Sequence, residues 1–131
     1  MILKLPFLFD INPIKTLFKM QVYHNPRCGK SRNCLAYLTE NNIEFETIKY
    51  LEQTPSKKQI IALLEMLEMA PLELVRKKEK IWIERYKNQS LTDDAIVDAL
   101  VENPILIERP IIIKDGKATI ARDLESIQKT L

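Results

Sequence analysis

The sequence is poor in the residue types that small proteins use for covalent or metal cross-links. Among its 131 residues there are 2 cysteines, 1 histidine and 2 glycines. Two cysteines cannot build the disulfide framework of a small secreted domain. On an ideal helix Cys28 and Cys34 would lie about 9 Å apart, which exceeds the usual disulfide reach of about 7 Å. We therefore expect reduced thiols and a cytoplasmic protein.

Ligands for a metal centre are scarce for the same reason. Zinc would have to use His24, Cys28 and Cys34, which supply three ligands at a spacing that is not typical of zinc sites. We predict no metal site and no bound cofactor. A chain of this length buries enough surface to fold without a cross-link.

Charge of one sign and long hydrophobic runs are also missing. Lysine and arginine total 20 against 18 for aspartate and glutamate, so bulk charge excludes a nucleic-acid binder. Pro6, Asp10 and Pro13 leave the apolar N-terminus no uncharged run that could span a membrane. We therefore predict no nucleic-acid partner and no membrane partner. We interpret residues 1–19 as a dispensable extension and residues 20–131 as one domain.

The first part of this domain predicts a strand, a helix and a second strand. Gln21–Tyr23 is strand-like, the apolar spacing indicates a helix over about residues 31–41, and residues 43–50 begin with the alternation of a half-buried strand. These elements form a βαβ unit, so the two strands should be parallel with a right-handed crossover.

A helical insertion is predicted over about residues 56–103. Ser56 opens a capping box, and Thr92 precedes two aspartates that favour the positive end of a helix dipole. Between these helices, a proline at a first-turn position favours a further helix over residues 71–77. The secondary structure of residues 78–91 is ambiguous from the sequence.

The end of the chain returns to strands. Residues 111–113 and 118–120 are joined by a turn with Asp115 and Gly116 at its centre, and Asp123 can cap a short final helix. The order of elements predicts an α/β protein with a four-stranded mixed sheet, flanking helices and a helical insertion. This is the layout of a thioredoxin-like fold.

Cys28 lies where the loop after the first strand becomes a helix. Free backbone N–H groups and the positive end of the helix dipole favour the thiolate there, which is the nucleophilic form of cysteine. Arg27, Lys30 and Arg32 add positive charge, and Ser31 can donate its hydroxyl to the sulfur. The same N–H groups can bind an oxyanion. The alternative is a plain buried cysteine after a strand.

The spacing around Cys28 separates several kinds of cysteine enzyme. Dithiol oxidoreductases use Cys-x-x-Cys, but the second position here is Ser31, so an outside thiol must complete a redox cycle. Cysteine phosphatases use Cys-x5-Arg, and that arginine position is Cys34. We predict that Cys34 faces the core, with a resolving thiol as the alternative.

Three other residues of the Cys28 loop are site candidates. Gly29 permits a tight turn and a close approach of the backbone to a ligand. Asn25 belongs to the same loop. His24 lies four residues before Cys28, where it either tunes the pKa of the thiol or faces solvent.

Three arginines farther along the chain stand at suggestive positions. Arg109 precedes Pro110 at the entry to the third strand, where thioredoxin-like folds face their active-site cysteine, often through a cis X-Pro bond. Arg122 follows the fourth strand, and Arg76 lies near the end of the helix predicted over residues 71–77. From spacing alone, each is an ordinary surface arginine.

The loop around Cys28 resembles the active-site loop of glutaredoxin-linked bacterial arsenate reductases, a family related to the Spx-type branch of the thioredoxin-like fold. It reads Tyr-His-Asn-Pro-Arg-Cys-Gly-Lys-Ser-Arg-Asn over residues 23–33. The resemblance covers about residues 20–131, and its further blocks are residues 50–55, 74–77, 91–94, 103–110 and 121–122.

The resemblance implies a thioredoxin-like enzyme of arsenical resistance that reduces arsenate to arsenite. Cys28 would be its single catalytic cysteine, and His24 matches the histidine that helps to tune it. The residues matched to substrate binding are Arg76, Arg109, Arg122 and Ser31. The resemblance further implies glutathione as co-substrate and glutaredoxin as a protein partner.

Two other functions are compatible with the sequence. A monothiol oxidoreductase would act on glutathione mixed disulfides through Cys28 alone, and it would tolerate the loss of Arg76 or Arg122. A regulator like those of the Spx-type branch would bind RNA polymerase without catalysis. That branch commonly carries a Cys-x-x-Cys redox switch, which Ser31 removes here.

Overall fold

The computed structural model describes residues 20–131, so the expectation of a dispensable extension over residues 1–19 lies outside the described residues. The elements in chain order are β1 (Met20–Tyr23), α1 (Gly29–Glu40), β2 (Glu46–Ile48), α2 (Lys57–Leu67), a 3₁₀ helix (Pro71–Leu74), α3 (Lys80–Arg85), α4 (Asp93–Glu102), a second 3₁₀ helix (Pro104–Leu106), β3 (Ile111–Lys114), β4 (Lys117–Ile120) and α5 (Leu124–Gln128). Within residues 20–131, no helix is long and apolar enough to cross a membrane.

The four strands form one mixed sheet in the order β2-β1-β3-β4. β1 and β2 are parallel, as the βαβ pattern predicts, and β3 is antiparallel to both β1 and β4. The predicted thioredoxin-like α/β fold is confirmed, with its four-stranded mixed sheet, flanking helices and helices inserted between β2 and β3. Because β1 and β3 pair antiparallel at the centre, the loop after β1 lies beside the loop before β3.

The sheet separates two hydrophobic cores. Successive side chains of a strand point to opposite faces, so Val22 and Ile112 pack in one core and Tyr23 and Ile111 in the other. The first core also contains buried residues of α1 and α5. The second contains buried residues of α2, α3 and α4. The helix that starts at Cys28 therefore packs on the opposite face from the insertion.

Local capping and turn signals are confirmed. The side chains of Ser56, Thr92 and Asp123 each accept a backbone N–H three residues on, at 3.2, 3.1 and 2.8 Å. Asp115 and Gly116 both have positive φ, 54° and 76°, which is the geometry of a tight hairpin turn.

The helix predicted over residues 71–77 is wrong beyond its first turn. A 3₁₀ helix covers Pro71–Leu74, after which Val75 is extended and forms an antiparallel bridge with Ile107. The N–H of Arg76 donates to a carbonyl across this bridge at 2.7 Å. Arg76 is therefore placed by a pairing with a distant segment and not by a helix.

Two other boundaries differ from the predicted ones. The strand predicted over residues 43–50 is limited to Glu46–Ile48, because β2 pairs with β1 over these three residues alone. The segment 78–91, whose secondary structure is ambiguous from the sequence, contains the short helix α3. Trp82 of α3 is buried in the core beneath the insertion.

Candidate active site

The loop after β1 carries Cys28 to the first turn of α1. Cys28 is the N-cap residue of this helix, which begins two residues before its predicted start. The buried Asn25 organises the loop. Its carbonyl accepts the N–H of Cys28 at 3.0 Å, its amide oxygen accepts the N–H of Arg27 at 3.0 Å, and its own N–H donates to Ser31 Oγ at 3.3 Å. These bonds hold the thiol at the helix N-terminus.

The thiol of Cys28 is half-buried, and its pKa is lowered to about 7. Burial alone would raise this pKa. Hydrogen bonds from the N–H of Ser31, the guanidinium of Arg109 and the N–H of Lys30 outweigh it, and the charge of Arg109 adds to their effect. The lowered pKa favours the thiolate, which is the nucleophile, near neutral pH.

The three arginines singled out from the sequence converge on Cys28. Arg76, Arg109 and Arg122 line one open pocket of about 410 Å³ together with the thiol. The remaining lining residues are Arg27, Gly29, Lys30 and Asn33. Among the described residues, no acidic side chain lines this pocket, so its field attracts anions.

Arg109 is the most deeply placed of the three. The residue is 6% exposed, and its Nη1 donates to the carbonyls of Ile105 at 2.9 Å and Ile107 at 3.4 Å. The Arg109–Pro110 peptide bond is cis, as proposed for this loop. Arg122 Nη1 in turn donates to the carbonyl of Arg109 at 2.6 Å. Two of the arginines are thus tied to the backbone beside the thiol.

Glu79 is a residue of the site that sequence reasoning misses. Its Oε2 accepts a hydrogen bond from Arg76 Nε at 2.8 Å and lies 3.6 Å from Arg109 Nη2. The available signal is its i,i+3 spacing from Arg76, which allows an ion pair on a turn of helix. This spacing alone does not predict the ion pair, because the secondary structure of residues 78–91 is ambiguous from the sequence.

Ser31 acts differently from the expectation, and Gly29 lies in the same first turn of α1. Ser31 is fully buried, its hydroxyl oxygen accepts the N–H of Asn25, and its own backbone N–H stabilises the Cys28 sulfur. Gly29 has no positive φ, and a Cβ there would meet the end of the Arg32 side chain at an ordinary 3.7 Å. Gly29 is the first residue of α1 and lines the pocket, and its part in ligand approach stays a prediction.

Two residues near Cys28, His24 of the loop and Arg32 of α1, do not line the pocket. His24 is 6% exposed, so the alternative of a solvent-facing histidine is wrong. Burial, together with the charges of Lys49 and Arg32, lowers the pKa of His24 and so favours the neutral imidazole. That His24 tunes the pKa of the Cys28 thiol stays a prediction. Arg32 donates to the carbonyl of Pro26 at 3.0 Å and does not line the pocket.

Cys34 faces the core, as predicted from its place on the helix. It is fully buried, and burial raises the pKa of its thiol to about 11. Both cysteines are free thiols. Over residues 20–131, no three histidine, cysteine, aspartate or glutamate side chains are grouped so that they could hold a metal ion.

Comparisons with known proteins cover the whole of this site. The model of the ArsC family matches residues 23–130. An arsenate reductase of Neisseria meningitidis serogroup A is 36% identical over 115 residues, which cover 86% of this chain and 98% of the relative. YfgD of Escherichia coli K12, an uncharacterized protein, is 41% identical over 111 residues, which cover 83% of this chain and 93% of that protein.

A solved structure shows the same similarity in three dimensions. It is an arsenate reductase from Vibrio cholerae, which aligns with a TM-score of 0.80 at 38% identity and covers 86% of this chain and 97% of its own. Every residue that lines the pocket lies within residues 23–130, the range that the family model matches.

Proposed function

This chain belongs to the ArsC family, and we propose that it reduces arsenate to arsenite at Cys28. One observation carries the proposal: a thiol with a pKa of about 7 shares its pocket with Arg76, Arg109 and Arg122. Guanidinium groups offer planar pairs of N–H donors that suit the oxygens of a tetrahedral oxyanion.

In the first step, the thiolate of Cys28 attacks As(V), a sulfur–arsenic bond forms, and hydroxide or water leaves. The three arginines and the N–H groups at the start of α1 hold the remaining oxygens. These donors are in place before the reaction, so they stabilise the charge that spreads over the oxygens in the transition state.

In the following steps, outside thiols supply the two electrons. Glutathione attacks the adduct, As(V) becomes As(III), and arsenite leaves while Cys28 forms a mixed disulfide with glutathione. Glutaredoxin then reduces this disulfide and restores the thiolate. Two features support an outside reductant: Ser31 stands where a dithiol enzyme has its second cysteine, and Cys34 is buried with a raised pKa.

The test is arsenate-dependent NADPH oxidation with glutathione, glutathione reductase and glutaredoxin. We expect turnover by the wild type, no turnover by Cys28→Ser, and no turnover without glutaredoxin. Cys34→Ala is the matched control because it removes the other thiol of α1, and it should keep most of the activity.

The outcome that contradicts the proposal is a folded protein whose Cys28 titrates near pH 7 but which does not reduce arsenate. In that case a thiol with a lowered pKa in an open pocket would favour a monothiol oxidoreductase, and glutathionylated proteins would be the next substrates to assay. A Cys34→Ala variant as inactive as Cys28→Ser would instead contradict the single-cysteine mechanism.

A further inference from the structure

The three arginines of the pocket are anchored in different ways. Arg109 donates to two backbone carbonyls, and Arg122 donates to the carbonyl of Arg109. In the described part of the chain, the guanidinium of Arg76 has one partner, the carboxylate of Glu79. The side chain of Arg76 is 26% exposed, so without this partner it would be free to sample other rotamers.

Glu79 contacts two of these arginines but not the pocket. One oxygen, Oε2, lies 2.8 Å from Arg76 Nε and 3.6 Å from Arg109 Nη2. Both arginines line the pocket with Cys28, whereas Glu79 does not. Two guanidinium groups held close together repel each other, and a shared carboxylate offsets that repulsion.

We propose that Glu79 is a positioning residue of the anion site, which holds Arg76 beside Arg109 so that both face Cys28. The inference rests on the proposed function, because Glu79 would act on arginines of the same anion site without lining the pocket itself. Glu79 also offsets part of the positive charge that Arg109 presents to the thiol. Glu79 therefore orients the arginines of the site, and its negative charge weakens the attraction of the site for anions.

Two substitutions separate these effects. Glu79→Gln keeps an oxygen that can accept from Arg76 Nε but removes the charge, whereas Glu79→Ala removes both. In both variants the charge of Arg109 is less opposed, so the pKa of Cys28 should fall below its wild-type value. In Glu79→Ala alone, Arg76 should lose its orientation.

The first measurement is the rate of Cys28 alkylation by iodoacetamide as a function of pH, with Cys34→Ala as the background. We expect both Glu79 variants to shift the profile to lower pH. Glu84→Ala is the matched control: Glu84 also belongs to the α3 region, it is exposed, and its partner at 3.8 Å is Lys80 and not an arginine of the pocket. This control should leave the profile unchanged.

The second measurement is arsenate turnover in a double-mutant cycle. We expect Glu79→Ala to lower kcat/KM about tenfold, as for the loss of a charge-assisted hydrogen bond, and Glu79→Gln to lower it much less. Because Glu79 acts through Arg76, Glu79→Ala should cost little more once Arg76→Ala is present.

Two results would overturn the inference. One is full additivity of the two alanine substitutions, and the other is an unshifted alkylation profile in both Glu79 variants with a loss of thermal stability alone. The alkylation profile needs no arsenate. If the wild type fails to reduce arsenate while the profile shifts as expected, the proposed function is wrong, and the electrostatic part of the inference, that Glu79 opposes the charge of Arg109 beside the thiol, stands.

Discussion

The two cysteines of α1 have opposite chemistry although they share one helix. Cys28 caps the N-terminus with a pKa of about 7, and Cys34 lies in the core with a pKa of about 11. Burial raises the pKa of both thiols. The difference is that Cys28 receives hydrogen bonds from free N–H groups and from Arg109, which stabilise its thiolate. Donors at the helix terminus, and not burial alone, decide which thiol reacts.

Removing the guanidinium of Arg109 should bring the pKa of Cys28 closer to that of Cys34. This is the largest effect that we expect. In Arg109→Gln the thiolate loses a hydrogen bond and a nearby positive charge, so the pKa of Cys28 should rise. Arsenate kcat/KM should fall about a hundredfold, as when one oxyanion donor is removed. The measurements are the alkylation profile and the NADPH-coupled assay.

Arg85→Gln is the control for this substitution, because it removes an exposed arginine of α3 that does not line the pocket. The Cys28 alkylation profile and the arsenate turnover of Arg85→Gln should match those of the wild type. An Arg109→Gln variant with an unchanged Cys28 profile would show that the N–H groups alone lower this pKa.

Replacing each cysteine by serine should lower the free energy of unfolding by different amounts at the two positions. Cys34→Ser puts a hydroxyl into an apolar cluster, so we expect a loss of about 1–3 kcal/mol in the free energy of unfolding. Cys28→Ser changes a half-buried position and should cost less than about 0.5 kcal/mol. Urea unfolding of both variants measures the difference, and equal losses would contradict it.

The pH dependence of stability should have opposite signs at the two positions. The folded-state pKa of Cys28, about 7, lies below its ordinary 9.0, so its stabilisation is present above pH 9 and is lost as pH falls towards 7. The folded-state pKa of Cys34, about 11, lies above 9.0, so its stabilisation is present below pH 9 and is lost as pH rises.

Urea unfolding from pH 6 to 10 measures both signs, with each variant subtracted from the wild type. The difference between wild type and Cys28→Ser should grow in favour of the wild type between about pH 7 and 9. The difference between wild type and Cys34→Ala should shrink above about pH 9. Differences that change in the same direction would contradict the opposite shifts of the two thiols.

Elements whose signals lie within a few residues were predictable. Ser56, Thr92 and Asp123 start helices through bonds to groups three positions on, and the Asp115-Gly116 turn depends on its own two residues. The helix expected through Arg76 failed because Val75 pairs with Ile107, a contact that no local pattern contains. Glu79 was missed for a related reason, since one of its two partners, Arg109, lies in a different loop.

The sequence by itself determined that a thiol stands at a helix N-terminus, that Ser31 replaces a second active-site cysteine, and that the sheet is mixed. These properties follow from spacing and chain order, which are local. The tertiary structure alone decided that Arg76, Arg109 and Arg122 meet at Cys28. It also decided how far the pKa of this thiol falls, because Arg109 reaches the sulfur only when β3 pairs with β1. Electrostatic and hydrogen-bond effects act over a few ångströms of space, and only the folded chain brings these groups that close.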